Sequence, residues 1–533
     1  MIRKMKFMLF AILGIAVMSC DDDFLDNTPT DAISASEAFA NEENMQLVLN
    51  GLHRGLYSQS QTIFPGGNTA RANNHYWVPM GDNIAGGLIH SANANNLSWR
   101  DVMQWNQHTI QTSLTNEIFW YHRYNIIAGA NSLINTIGEG SLVETDNLRQ
   151  ILGQAYTYRA YAYLSLVQHY ARGYLIGNPA SDPGVPLLFS AETPFTSAGR
   201  SSVQEIYDQI EADLNAAITA FQGASGRPGS GAAQKSQLNI DVAYGLLART
   251  ALSKGDWATA ADAAVQARQD YPIMNEDDWL SGFNSNTLSE VIWGSNVIAA
   301  ETTFFRSYFY LASNTFNGSQ IRNNPKIADR RLVDAIPATD YRGKVFIIDA
   351  PNTNSSAANG EGGFGNDPNY TSEEAFNARR AEINETYGIT NAFNQHPYMH
   401  FKLKNANPGS IDPDDVIYMR SSEMYLIEAE AKAMMNDIPG AQAALEPLGS
   451  ERDSAYDVTI YNTQESLMEQ IKFQRALELW GEGFGYTDKI RWDEGIDHAA
   501  DGGSGASEVL YQNAYQVERP SVNDDWIFLI PQA

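Results

Sequence analysis

The sequence predicts a mostly α-helical chain of paired antiparallel helices, interrupted by two long irregular segments that carry a few short strands. Three observations lead there. Small residues recur at helical spacing (Ala243, Ala248, Ala251, then Ala260, Ala264, Ala267) on either side of Lys254-Gly255-Asp256. A second such pair spans Ser421–Leu448, broken by Pro439-Gly440. Two aperiodic stretches, about 60–113 and 284–404, are rich in Gly, Asn and aromatic residues instead. Periodicity near 3.6 marks the helices, and its loss marks the insertions.

The N-terminus comes first in order. Arg3, Lys4 and Lys6 precede the apolar run Phe7–Met18. As a helix that run spans roughly 18 Å, short of a bilayer core of about 30 Å, so it reads as a signal-peptide core. Ser19-Cys20 follows, and Cys20 is the one cysteine of the chain. This resembles a bacterial lipobox, which implies cleavage after residue 19 and lipidation of Cys20. Asp21-Asp22-Asp23 behind it is similar to the surface-export signal of Bacteroidetes-type lipoproteins. Residues 1–19 are then a leader, 20–35 a lipidated acidic tether, and 36–533 a single domain.

Helical periodicity runs from Ser36 towards Tyr57, over Leu114–Ile137, and over Leu148–Tyr170, where Tyr156, Tyr163 and Tyr170 lie seven apart on one face. Ser201–Phe221 is amphipathic, with Ser202 placed to cap Glu205. Asn239–Pro272 closely resembles a tetratricopeptide unit, in which alanines let two helices approach. With Ser421–Leu448, and the Tyr-rich helix paired to Ser201–Phe221, three units are present, enough to bury a continuous core. The scaffold is thus expected at about 36–60, 114–172, 201–272 and 416–492. Strand-like pieces are expected at Glu290–Ile298, Val345–Asp349 and Tyr398–Lys402.

Composition excludes several functions. With 35 Lys and Arg against 63 Asp and Glu, the net charge is −28. That leaves no basic excess for nucleic acid or for a polybasic lipid surface. The lone cysteine excludes a disulfide framework and a cysteine-built zinc site. Gly360–Gly365 fits G-x-G-x-x-G but lacks the flanking strand and helix of a dinucleotide site. His396 and His400 would stand about 13 Å apart along a strand, too far to share a metal. Asp412-Pro413-Asp414-Asp415 lacks the glycine and distal glutamate of an EF-hand and reads as an acidic turn. No metal, no cofactor and no catalytic constellation is expected.

Met419–Ala431 (MRSSEMYLIEAEA) and Gln474–Trp492 (QRALELWGEGFGYTDKIRW) resemble two blocks of the RagB/SusD family, and Asp340-Tyr341-Arg342 matches its D-x-R before a strand. Gln474 and Gly485 depart from that pattern, standing where the family has an acid and an arginine. The resemblance implies a SusD-like fold and a non-enzymatic surface lipoprotein. Such a protein sits in the outer membrane facing the exterior, takes up glycans or other oligosaccharides, and closes on a SusC-like TonB-dependent transporter. It further implies that Arg420, Glu423, Glu428, Glu430, Glu478, Glu482, Asp488 and Arg491 are paired charges tying helices together.

A sugar presents an apolar face to a flat ring and a hydroxyl rim to polar side chains. The candidate ligand residues are therefore the loop aromatics and their polar neighbours: Tyr76, Trp77, Asp82, Asn83, Asn96, Trp99 and Trp105 in the first segment, and Tyr308, Tyr310 and Arg322 in the second. Each ring has a second reading as a core anchor beneath a long loop; Trp120, Tyr121, Tyr124, Trp257 and Trp480, expected on helices, read as core. Peptide or glycopeptide capture on the same scaffold, and a ligand-free envelope scaffold, remain open alternatives.

Overall fold

The computed structural model describes residues 38–58, 74–90, 102–139, 143–190, 199–227, 231–302, 305, 307–318, 322–353, 362–497 and 518–532, with the side chains of residues 75–77 left aside. Cys20, Asn96 and Trp99 lie outside the described residues, as do the side chains of Tyr76 and Trp77. The chain divides between Val48 and Leu49 into two units.

Helix α1 (Glu42–Gly55) begins in the first unit and ends in the larger one. The larger unit continues with α2 (Asn74–Ala85), α3 (Leu114–Gly138), α4 (Asp146–Tyr170), α5 (Val203–Gln222), α6 (Ile240–Lys254) and α7 (Trp257–Arg268). After the second insertion come α8 (Glu373–Tyr387), α9 (Ser421–Met434), α10 (Ile438–Arg452), α11 (Gln464–Glu478) and α12 (Gly485–Trp492). Ser202 and Glu205 form the reciprocal capping box that starts α5. Gly255, at φ 76°, ends α6 in the left-handed conformation, and the Asp256 carboxylate accepts the Thr259 amide to start α7. Neighbours stack in series from α3 through α7. The pair α9–α10 then packs on α7, although more than 150 residues separate the two in sequence. The helical row is continuous in space because Ala260, Ala264 and Ala267 on α7, with Ala429 and Ala433 on α9, are all buried with no side chain larger than a methyl.

The insertions are more ordered than expected. A four-stranded antiparallel sheet has the order β1 (Leu88–His90), β3 (Lys326–Ala328), β5 (Met399–His400), β4 (Phe346–Ile347). Its register pairs Ile89 with Ile327, Ile327 with Met399, and Ile347 with Met399. One strand comes from the first insertion and three from the second, so the two are joined in a single sheet. Their shared core is Ile89, Met103, Ile327, Ile347, Ile383, Phe393, Met399 and Phe401. A second pairing, β2 (Val291–Ser295) with β6 (Val416–Arg420), ties the second insertion to the start of α9.

Two helices of more than ten residues inside the insertions were not anticipated. The segment 60–113, expected to be irregular, contains α2. Its Asn, Pro and Gly content masks helical propensity, and tertiary contacts supply what the sequence lacks. Gly81 on α2 meets Gly483 so closely that a Cβ there would stand 2.2 Å from the Gly483 carbonyl oxygen. Helix α8 buries only Phe376 and Ile383, too thin a stripe to stand out.

Candidate functional site

The second insertion is fixed to the helical row by a buried network of four cations and four carboxylates. Glu478, at the end of α11, is its centre. One carboxylate oxygen accepts from Arg420 Nη1 (2.7 Å), Arg452 Nη2 (3.1 Å) and the Trp279 indole (3.1 Å). The other accepts from Arg342 Nη1 (2.9 Å) and Arg452 Nε (3.1 Å). Glu290 bridges Arg420 and Arg452, and Glu482 accepts from both Arg420 and Lys402. Asp340 grips Arg342 in a fork. Burial alone would raise the Glu478 pKa, but Arg452, Arg420 and Arg342 hold it well below the ordinary carboxylate range. Because every charge is countered and bonded, such a network keeps elements in register, and loss of one partner leaves an unpaired buried charge.

The family-block residues expected to pair do so. Arg249 binds Glu423, Arg268 binds Glu428, Arg491 binds Glu430, and Asp488 joins Arg475 to Arg491. The two departures are accommodated. Gln474 stays in the network as a neutral acceptor for Arg342 (2.7 Å). Gly485 donates its amide to Asp82 (2.9 Å), where a Cβ would stand 2.8 Å from that carboxylate.

Five of the ten candidate ligand residues are buried and occupied internally. Asp82 accepts the amides of Gly483 (2.7 Å) and Gly485 (2.9 Å). Burial pushes its pKa up to about 6, against the pull of those amides. It is the latch that seats α2 on the turn before α12. Asn83 is fully buried beside it. Trp105 is 2% exposed, at φ 59°, with its indole donating to Ile84 O (3.1 Å) and its ring edge-on to His108 and Trp526. Tyr308 donates to Gly481 O (3.0 Å), and Tyr310 packs against Phe305 and Phe316. The core-anchor reading holds for these rings, and none offers a face to a ligand. Arg322 alone among the described candidates is partly exposed, with its backbone carbonyl accepting from Asn394 (2.7 Å). Trp480, expected on a helix, lies in the turn after α11 and donates to Gly87 O (2.8 Å).

The rejected motifs resolve into structure. His400 bonds the Ala312 carbonyl and His396 the Pro397 carbonyl. The Asp415 carboxylate accepts the amides of Asn286 and Val297 (both 3.0 Å), which closes the acidic turn. Among the described residues no cluster of three or more His, Cys, Asp or Glu could hold a metal ion, and no helix is long and apolar enough to cross a membrane. Part of the Gly360–Gly365 loop lies outside the described residues.

Similarity to known proteins agrees with this architecture. Residues 23–252 match a family described as "Starch-binding associating with outer membrane", and residues 275–526 match the "SusD family". The chain is 22% identical to SusD-like protein P38 of Formosa agariphila, over 93% of this chain and 92% of that one. It shares its fold with a SusD-like carbohydrate binding protein from Bacteroides vulgatus (TM-score 0.66, 21% identity, 86% of this chain and 84% of that chain). It also shares it with surface glycan-binding protein A from Bacteroides fluxus (TM-score 0.60, 17% identity, 92% and 95%). The two family matches together span most of the chain, and this chain belongs to the RagB/SusD family.

Proposed function

We propose that this chain is a lipid-anchored subunit at the cell exterior that captures oligosaccharides and passes them to a partner TonB-dependent outer-membrane transporter. The observation that carries the reading is the β1–β3 pairing. It joins the first insertion, through Leu88–His90, to the second, through Lys326–Ala328, in one sheet; in sequence, Tyr76, Trp77, Asn96 and Trp99 belong to the first insertion and Arg322 to the second. Two segments far apart in sequence thereby become one structure, braced by the Glu478 network, on which rings and polar groups can act on a single ligand. Relatives described as carbohydrate binding and surface glycan-binding support the chemistry. The described candidates that are buried act as its frame.

The chain binds without cleaving. A flat ring with a few hydrogen-bonding groups is enough to hold a sugar. The test is titration of the purified protein with a panel of oligosaccharides and peptides, followed by tryptophan emission and calorimetry. A saturable response to at least one glycan, weakened about tenfold in Trp99→Ala or Trp77→Ala, is expected for the loss of one stacking ring at roughly 1–1.5 kcal/mol. A response to peptides alone would replace the glycan with a peptide, no response to either would leave only a scaffold role, and released sugar products would reveal an enzyme.

A further inference from the structure

Between α2, α3, α4, α6, α9, α11 and α12 lies a cavity of about 150 Å³. Its wall is densely charged. Arg123, Arg249, Arg475 and Arg491 line it, and so do the acids Glu423, Glu482 and Asp488. Each acid is already committed: Glu423 to both ends of the Arg249 fork, Glu482 to Arg420 and Lys402, Asp488 to Arg475 and Arg491.

The arginines are not equally satisfied. Arg249 spends Nε and Nη2 on Glu423 and the Tyr418 carbonyl, which leaves Nη1. Arg475 spends Nε and Nη2 on Asp488, and its buried Nη1 has no partner. Arg123 is the extreme case. It is 3% exposed, and among the described residues it bonds only the neutral groups of Ser165, Asn74 and His122 and pairs with no carboxylate. The faces of Phe119 and Tyr161 lie 4.8 and 5.1 Å from its guanidinium carbon. They hold the plane still but supply no counter-charge. Arg249 and Arg475 share the Phe484 ring in the same way, at 5.2 and 5.8 Å. A buried, uncompensated guanidinium is expensive, whereas a fork of guanidinium donors matches an oxyanion.

We infer that this cavity binds a small oxyanion, a carboxylate, sulfate or phosphate group, held between Arg123, Arg249 and Arg475. The anion neutralises Arg123 and takes up the idle nitrogens of the other two. Because Arg249 stands on α6, Arg475 on α11 and Arg123 on α3, a bound anion bridges the paired-helix row to the C-terminal block. The inference is independent of glycan capture, since anion and glycan titrations are read separately.

Crystals of the full chain soaked in selenate should show an anomalous peak in the cavity within hydrogen-bonding distance of the Arg123 guanidinium. In solution, calorimetry with sulfate, phosphate and acetate should show saturable binding of at least one, and the tightest identifies the class. Arg123→Gln should weaken it at least tenfold, and Arg123→Lys should restore part of the loss. The soak requires no variant, so it decides the matter even where Arg123→Gln does not fold. Water alone in the cavity, or equal anion affinity in the wild type and Arg123→Gln, overturns the inference.

Discussion

His122 makes the stability of this protein acid-sensitive in a way that can be calculated. Its Nε2 faces the Gly55 carbonyl at 2.9 Å, and its Nδ1 faces Arg123 Nη1 at 2.7 Å. A guanidinium only donates, so Nδ1 accepts and Nε2 carries the proton. A second proton on Nδ1 would point at the arginine N–H. Burial and then the Arg123 charge accordingly push the His122 pKa down to about 3, against the Gly55 bond. The unfolded chain, with a pKa near 6.5, binds that proton more readily, so stability falls as pH drops from about 6.5 towards 3. Between pH 7 and 5 linkage gives a loss of about 2 kcal/mol from this one residue.

Six other histidines act with the same sign. Burial pushes His90 to about 3, His53, His108, His169 and His396 to about 4, and His400 well below its ordinary value. Asp82 and Asp414, each raised to about 6 by burial, act oppositely and each returns about 1 kcal/mol over the same interval. The balance still falls on the side of lost stability as the pH drops. Chemical denaturation at pH 7, 6 and 5 measures it. The loss from pH 7 to 5 should be about 2 kcal/mol smaller in His122→Gln than in the wild type. Histidine NMR of the folded chain should show no titration of His122 above pH 4.5. A His122 resonance that titrates near 6, or equal pH dependence in wild type and variant, would refute the reasoning.

Other variants probe the frame. Glu478→Gln leaves three buried arginines short of a carboxylate and should cost about 3–5 kcal/mol, read as a fall in melting temperature. Gly81→Ala should destabilise by about 1–3 kcal/mol by pushing α2 off Gly483, whereas Gly51→Ala, with nothing within 4 Å of its Cβ, should be neutral or stabilising in the same melt. Trp105→Ala should cost about 3–5 kcal/mol in denaturation and leave glycan affinity per folded molecule unchanged, the reverse of Trp99→Ala.

What the sequence disclosed and what it hid divide along a physical line. Local rules were enough for α6 and α7, because an αL glycine, an aspartate cap and a small-residue stripe all act within a few residues. The charge pairs were expected from the family resemblance rather than from local rules. Local rules failed for α2, whose stability comes from Gly81 meeting Gly483 and from Asp82 taking two amides some 400 residues away in the chain. They failed again for Trp105, Tyr308 and Tyr310, since a ring among Asn and Gly residues looks the same from sequence whether it caps a core or meets a ligand. Only the fold distinguishes them: Trp105 turns its indole inward to Ile84 and Tyr308 its hydroxyl to Gly481, so each polar handle is already used. A ring whose handle is spent inside belongs to the frame. Ligand contact must then come from other rings, and since Trp77 and Trp99 are the remaining tryptophans of the first insertion, the capture reading turns on their variants.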